Sequence, residues 1–258
     1  MRINSWLGIW VVVCILGGPA MAWSAGEEKV HVAVASNFLN PLKEIAKRYK
    51  QDTGNALILI SGSTGKLYAQ VLHGAPFDIL LAADAKRPAL LEKRGEGVAG
   101  TRFTYAVGAL VLWSLDPKKV QGVETLTKMN MGKLAIANPK TAPYGKATQE
   151  ILEQLGLWKK LQPFLVRGEN ISQTLQFVAT ENAELGFVAQ SQVNDPRFKL
   201  KGSHWPVPLS MHNPISQQAI LLKPGRNNSA AKNFLEYLRG PNAKNIIQAY
   251  GYHFVEDK

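Results

Sequence analysis

The segment SGSTGKL, residues 61–67, decides how this sequence is interpreted. It follows the apolar run ALILI (56–60), which predicts a buried strand, and it leads into a pattern that predicts a helix from about Thr64 to His73. The first N–H groups of a helix lack intrahelical partners, so a loop of small polar residues at this position is suited to binding an anion. The segment therefore raises the question of which anion the protein holds.

The same strand-loop-helix pattern recurs along the chain. Short β-rich runs alternate with helical patterns, which predicts βαβ units, mostly parallel sheets and the α/β fold class. Several loops of small polar residues sit between a predicted strand and a predicted helix. These loops are Ser36-Asn37, Ser61 to Gly65, Ala142 to Gly145, and Asn170-Ile171.

Two long β-rich segments, 101–114 and 213–223, would let the chain leave one lobe, build a second and return. We therefore predict a discontinuous first lobe of residues 29–108 and 212–258, and a second lobe of residues 109–211. A chain of 258 residues with 46% hydrophobic and 19% charged side chains can bury the cores that such lobes need.

The N-terminus predicts a signal peptide over residues 1–22, with cleavage before Trp23. Arg2 precedes an apolar run from Trp6 to about Leu16, and small residues follow at positions 20–22. The run is shorter than the ~20 residues that span a bilayer. Cys14, the single cysteine, lies inside it, so the mature chain is expected to have no disulfide and no cysteine metal site.

The formal net charge is +11, of which Arg2 contributes one. The Lys and Arg residues are scattered over what reads as solvated helix faces, as at Lys43 and Lys47, rather than clustered in a patch. We therefore expect no nucleic-acid partner. A positive field would still gather small anions.

Enzymatic interpretations of SGSTGKL are weak. A Walker loop needs a glycine where Ile60 stands and a hydroxyl where Leu67 stands. Ser63 and Lys66 match the Ser-x-x-Lys of serine acyl-transferases, but the partner motifs Ser-Asp-Asn and Lys-Thr-Gly are absent. An exported serine acyl-transferase using Ser63 and Lys66 stays as the alternative from a different class. The histidines show no metal-ligand spacing, so no metal site is expected.

Seven segments resemble, in order and spacing, those of the periplasmic molybdate-binding proteins of ABC transporters. This resemblance implies a two-lobed type II periplasmic binding protein fold, with the ligand in a cleft between lobes that close by a hinge motion. It also implies a periplasmic, monomeric receptor with no catalytic activity and no cofactor, which delivers its ligand to an ABC transporter permease. The segments are VAVASNF (32–38), SGSTGKL (61–67), HGAPFDILLAAD (73–84), LAIANPKTAPYGKA (134–147), RGENISQTLQFV (167–178), AELGFVA (183–189) and QQAILLK (217–223).

The resemblance also implies the site residues. In that family hydroxyls and backbone amides hold the oxyanion, without a cation. The corresponding positions here are Ser36, Asn37, Ser63, Tyr144 and the backbone N–H of Ile171.

One position departs from a branch of the family, in which a tyrosine stands where this chain has Ala189. Ala189 cannot donate a hydroxyl, so Tyr144 is expected to supply the phenol. Lys66 is expected to face solvent and is left out of the site.

The residue types in these loops predict the class of anion. Hydrogen phosphate carries a proton and needs an acceptor, whereas molybdate, tungstate and sulfate near neutral pH need donors only. Neither Asp nor Glu occurs in SN (36–37), SGSTG (61–65) or APYG (142–145). Molybdate or tungstate is the expected ligand, and a receptor for sulfate or another tetrahedral oxyanion is the alternative within the same fold.

Overall fold

The computed structural model describes residues 29–129 and 131–254. The predicted signal peptide, residues 1–22, and its cleavage site before Trp23 lie outside these residues. The strands are β1 (Lys29–Ala35), β2 (Ala56–Gly62), β3 (Ile79–Ala82), β4 (Phe103–Gly108), β5 (Leu110–Ser114), β6 (Leu134–Ala137), β7 (Leu165–Gly168), β8 (Leu185–Ala189), β9 (Ser203–Pro206) and β10 (Ile215–Leu221).

Helices connect most of the strands, and a short helical turn at Ser36–Phe38 leads into the first of them. The first helix ends at Gly54 in the left-handed conformation (φ 80°), whose N–H donates to the Lys50 carbonyl, as its glycine cap predicts. The helices are α1 (Leu39–Thr53), α2 (Thr64–Leu72), α3 (Lys86–Lys93), α4 (Glu124–Thr127), α5 (Pro143–Gln154), α6 (Trp158–Leu161), α7 (Ile171–Ala179), α8 (Gln190–Val193), α9 (Ser229–Arg239) and α10 (Pro241–Ala249).

The strands form two five-stranded sheets, and we call each sheet with its helices a lobe. The first lobe has the strand order β2-β1-β3-β10-β4, and the second has β7-β6-β8-β5-β9. Both sheets are mixed. β1 pairs in parallel with β2 and β3, but β10 runs antiparallel to β3 and β4. β6 pairs in parallel with β7 and β8, but β5 runs antiparallel to β8 and β9.

The prediction of two helix-flanked α/β lobes with mostly parallel sheets is confirmed, because four of the five strands in each sheet run in the same direction. The one reversed strand of each sheet, β10 in the first lobe and β5 in the second, is the strand by which the chain enters that lobe from the other. Segment 101–114 is divided at Ala109 between β4 of the first lobe and β5 of the second. We keep the lobe boundaries at residues 109 and 212 as a proposal, which this strand membership supports.

Helices cover both faces of each sheet. On one face of the first lobe, Tyr49 of α1 and Phe234 of α9 pack with ring centroids 5.2 Å apart against the buried side chains of β1. On the other face, Leu67 of α2 and Leu91 of α3 are fully buried. Apolar strands buried on both faces explain why the strand segments read as continuous hydrophobic runs.

The second lobe is built in the same way. Ile151 of α5 belongs to the core on one face, and Val178 of α7 belongs to the core on the other. Trp113 of β5 is buried and packs edge-on against Phe198, with ring centroids 5.3 Å apart. No helix among the described residues is long and apolar enough to cross a membrane.

The parallel strands place the polar loops together. β1, β2 and β3 end at the same edge of the first sheet, and β6 and β7 end at one edge of the second. Each of these ends leads into a loop and then a helix N-terminus. The two edges face each other, so the loops identified in the sequence meet between the lobes.

Gly145 lets α5 begin directly on the end of β6. A Cβ atom at this position would lie 2.1 Å from the carbonyl oxygen of Ala137, which is backbone and cannot move aside. We expect Gly145→Ala to cost about 1–3 kcal/mol of stability and to lower the thermal midpoint by about 2–12 °C.

The matched control is Lys146→Ala, because Lys146 is exposed and has only a loose ion pair with Glu150, at 3.7 Å. This variant should unfold within about 0.5 kcal/mol of the parent chain. Equal midpoints for both variants in thermal unfolding followed by circular dichroism would contradict the close approach of α5 to β6.

Candidate functional site

A small cavity lies between the lobes, where the polar loops meet. Every residue predicted for the site lines it, so the structure brings together positions separated by more than 130 residues in the chain, such as Ser36 and Ile171. The lining residues are Ala35, Ser36, Asn37, Gly62, Ser63, Thr64, Ala83, Ala142, Pro143, Tyr144, Asn170 and Ile171.

Ser36 and Asn37 enter the cavity from the end of β1. They form a helical turn with Phe38, and all three residues are buried. No side chain caps this turn, so its first N–H groups have no partner within the helix. The Asn37 carbonyl accepts hydrogen bonds from the Tyr252 hydroxyl at 2.9 Å and from Ser191 Oγ of the second lobe at 3.2 Å.

Ser63 enters from the end of β2 as the N-cap of α2. Its backbone is extended, and its Oγ accepts the Lys66 N–H at 3.4 Å. An oxygen that accepts in this way keeps its own hydroxyl proton for a further partner. Beside it, the buried Thr64 Oγ1 accepts the N–H of Ala83 at 3.0 Å, which ties the loop after β2 to the loop after β3.

The second lobe contributes the N-termini of two helices. Helix α5 begins with Pro143, which has no N–H, and its N-cap Ala142 has no side chain that can cap it. The N–H of Tyr144 is therefore left without an intrahelical or capping partner.

Helix α7 is capped differently. Asn170 Oδ1 accepts the N–H groups of Ser172 at 3.0 Å and Gln173 at 3.1 Å. This cap pairs the N–H groups of the second and third residues of the helix and leaves the N–H of the first residue, Ile171, without a capping partner. The Ile171 N–H is the group that the family resemblance implies as a ligand.

The phenol of Tyr144 is buried within a hydrogen-bonded cluster. Its oxygen accepts Gln217 Nε2 at 3.1 Å and lies 3.5 Å from Asn37 Nδ2. Burial raises the pKa of Tyr144 well above its ordinary value, so the phenol stays neutral. The residue therefore offers its backbone N–H as well as a hydroxyl, and the prediction that the phenol binds the anion stays a prediction. Ala189 is buried at the end of β8, and its N–H is already paired with Gln192 Oε1.

No charged side chain is among the described residues that line the cavity. Lys66 lies outside it, where its ammonium pairs with Glu169 of the second lobe at 2.6 Å and both side chains are about half exposed. Arg87 is paired with Asp84 and also donates to the Lys140 carbonyl at 3.3 Å. The positive potential in the cavity therefore comes from N–H dipoles at helix N-termini and not from a cation.

The lobes touch around the cavity. The N–H of Gly65 donates to the Thr141 carbonyl at 2.8 Å, and Ser172 Oγ donates to the Ser36 carbonyl at 3.3 Å. On the other side of the cleft, Asn40 Nδ2 donates to Asp195 Oδ2 at 2.7 Å. The structure is thus closed, since these contacts join the lobes around the cavity.

Several residues near the site were not among the predicted ligands. Thr64 and Asn170 lie in the predicted loops, where Thr64 ties two loops together and Asn170 caps α7. Tyr105, Gln217 and Tyr252 were missed because nothing in an apolar strand or a terminal segment marks a side chain whose hydrogen-bond partner is distant in the chain. Among the described residues, no group of three or more His, Cys, Asp or Glu side chains is arranged to hold a metal ion.

Comparison with known proteins gives consistent matches over the described chain. Residues 30–253 match the family model described as "Bacterial extracellular solute-binding protein". The molybdate-binding protein ModA of Azotobacter vinelandii is 49% identical over 242 residues, which cover 93% of this chain and 96% of that protein. The molybdate-binding protein ModA of Rhodobacter capsulatus is 45% identical over 240 residues, which cover 93% of each protein.

A solved structure shows the same architecture. The periplasmic molybdate-binding protein of Azotobacter vinelandii superposes with a TM-score of 0.85 at 39% identity, covering 88% of this chain and 100% of that chain. The matches extend across both lobes and all the loops that line the cavity. The chain therefore belongs to the bacterial extracellular solute-binding protein family and, within it, to the group of periplasmic molybdate-binding proteins.

Proposed function

We propose that the mature chain is a periplasmic receptor that captures molybdate and delivers it to the permease of an ABC transporter. The observation that carries this proposal is a cavity between two lobes that is lined by N–H and O–H donors and has no charged side chain among its described lining residues. The relatives named as molybdate-binding proteins support the choice of ligand. We propose tungstate as a second ligand, because it has the charge, the tetrahedral geometry and the size of molybdate. Sulfate has the same charge and geometry, but its shorter bonds should leave it unable to reach all the donors of a cavity closed around molybdate.

The donor set favours a fully deprotonated oxyanion. Hydrogen phosphate would bring an O–H into the cavity, and no carboxylate among the described lining residues is available to accept it. The proposed donors are the hydroxyls of Ser36 and Ser63, Asn37, the N–H or phenol of Tyr144, and the N–H of Ile171. A phosphate hydroxyl facing such donors would lose about 1–3 kcal/mol as an unpaired polar contact.

The geometry does not favour a serine acyl-transferase. In that chemistry a lysine amine lies beside the serine that it activates. Here the Ser63 Oγ accepts a hydrogen bond from the backbone N–H of Lys66. The Lys66 ammonium instead forms an ion pair with Glu169 across the rim of the cleft. We therefore propose that the chain binds its ligand without catalysis. We also propose that it functions as a monomer.

The ligand is tested by thermal unfolding of the mature chain, stripped of anions, in the presence of molybdate, tungstate, sulfate or phosphate. Ligand at a hundred times its dissociation constant stabilises the folded state by about 2.7 kcal/mol. For a chain of this size that raises the midpoint by about 5–11 °C. We expect this shift with molybdate and tungstate only. A shift with sulfate or phosphate instead would keep the fold and overturn the ligand, and no shift with any of them would overturn the receptor.

The site is tested by Ser63→Ala, with molybdate affinity measured by calorimetry at a temperature where both proteins are folded. Removing this hydroxyl should weaken binding by about 1–3 kcal/mol, because a buried anion oxygen loses its donor. Ser61→Ala is the matched control, since Ser61 lies two residues earlier, near the end of β2, and is exposed, and this variant should bind as the parent chain does.

The variant Lys66→Ala distinguishes the receptor proposal from the acyl-transferase alternative. Its ion pair with Glu169 is exposed at the rim, so its loss should change molybdate affinity by no more than about 1 kcal/mol. Acyl transfer, by contrast, would be abolished. Full affinity in Ser63→Ala, or hydrolysis of an acyl ester by the parent chain that Lys66→Ala removes, would contradict the proposed site.

A further inference from the structure

A cluster of buried polar side chains lies behind the cavity, close to Ala109, where the chain crosses between the lobes. We call it the buried polar cluster. Its members come from the end of β1, from β4, from α5 of the second lobe, from β10 and from the C-terminal segment, and they are Asn37, Tyr105, Tyr144, Gln217 and Tyr252. Asn37 and Tyr144 also line the cavity, whereas the other three do not.

Gln217 is the member that joins the two lobes. It is fully buried, with 0% of its surface exposed. Its Oε1 lies 2.8 Å from Asn37 Nδ2 and 3.1 Å from the Tyr105 hydroxyl, and its Nε2 lies 3.1 Å from the Tyr144 hydroxyl. One amide therefore contacts a cavity residue of the first lobe with one end and a cavity residue of the second lobe with the other.

The backbone around Gln217 is shaped to admit these contacts. At Gly108, a Cβ atom would lie 2.2 Å from the Tyr144 hydroxyl and 2.7 Å from Gln217 Nε2, so only glycine leaves room for the two groups to meet. The register between β10 and β4 also shifts between Gln217 and Gln218. A bulge of this kind re-aims the side chains beside it.

We propose that Gln217 is a positioning residue for the anion site. Its amide holds Asn37 and Tyr144 in the relative positions at which they line the closed cavity. When the lobes separate, the bond between Gln217 and Tyr144 breaks and water can satisfy both groups. The amide therefore contributes mainly to the closed state and to the affinity that depends on closure. This inference rests on the proposed function, because it assigns the residue that aligns the proposed ligands.

Replacing Gln217 with methionine keeps the length of the side chain and removes both its donor and its acceptor. In the closed state Tyr144 would then lose its Gln217 donor and Asn37 Nδ2 its Gln217 acceptor, while Asn37 keeps its contact with Tyr252. Molybdate affinity should therefore fall roughly 10- to 100-fold. Gln218→Met is the matched control. Gln218 is the next residue of β10, is only partly buried, and bonds to Thr104 and Arg102 away from the cavity. Its substitution should leave the affinity within about twofold.

Gln217→Glu adds a readout that a merely structural role would not produce. A protonated glutamic acid retains one donor and one acceptor, as the amide does, whereas the carboxylate only accepts. Burial raises the pKa of such a group. The affinity of this variant for molybdate should therefore be close to that of the parent chain at about pH 6.5 and fall at least tenfold by about pH 9.

The parent chain should show no such pH dependence. The titratable neighbours of Gln217 are Tyr105, Tyr144 and Tyr252, and burial raises the pKa of all three, so they stay neutral over this range. Asp84, whose charge acts on Tyr105, is paired with Arg87. Gln218→Glu, which places a carboxylate beside Arg102, should have the flat profile of the parent chain.

The measurement is calorimetric titration with sodium molybdate, with the thermal midpoint of each anion-free variant recorded alongside. Affinity within twofold of the parent for Gln217→Met would overturn the positioning role. If that variant does not fold, Gln217→Glu carries the test, and equal affinity at the two pH values would overturn it. A parent chain that binds no molybdate would instead refute the proposed function, so the two failures are distinguishable.

Discussion

The structure is organised around one constraint, which is the cost of holding a doubly charged anion in a closed cavity without a cation. Moving an isolated ion from water into an apolar interior costs on the order of tens of kcal/mol. Only converging donors can offset this cost, and each must keep a proton that no protein acceptor has taken. The cavity contains hydroxyls and helix N-termini and no charged side chain among its described lining residues. The proposed selectivity for deprotonated oxyanions follows from the same feature.

The fold supplies these donors through its strand order and its helix caps. Parallel strands bring loops from distant parts of the chain to one edge of each sheet, and two lobes bring two such edges face to face. The caps then decide which N–H groups stay unpaired. Ala142 and Pro143 leave α5 without a side-chain cap, and Asn170 caps α7 while leaving the N–H of Ile171. Poor capping, which would weaken an ordinary helix, is useful at an anion site.

Sequence reasoning reached the lobes and the lining residues because both depend on local patterns. Apolar runs followed by small polar loops predicted the strands, the helix starts and the loops, and the family resemblance implied the ligands Ser36, Ser63 and Ile171 within those loops. The one reversed strand in each sheet was not identified from the sequence, since its direction depends on where the chain crosses between the lobes. The role of Gln217 was also beyond the sequence, because its partners are 73 and 180 residues away in the chain. Contacts of this kind are specified by tertiary packing and leave no local signal.

The most direct test of the central claim is anomalous X-ray diffraction at the molybdenum absorption edge from crystals of the mature chain grown with molybdate. The account predicts a molybdenum peak in the cavity between the lobes. The oxygens of the anion should lie within about 2.7–3.2 Å of the Ile171 N–H and the Ser63 hydroxyl, as ordinary hydrogen bonds require. No lysine or arginine should contact the anion. A peak held by a basic side chain, or located outside the cavity, would contradict the claim that neutral donors alone bind the ion.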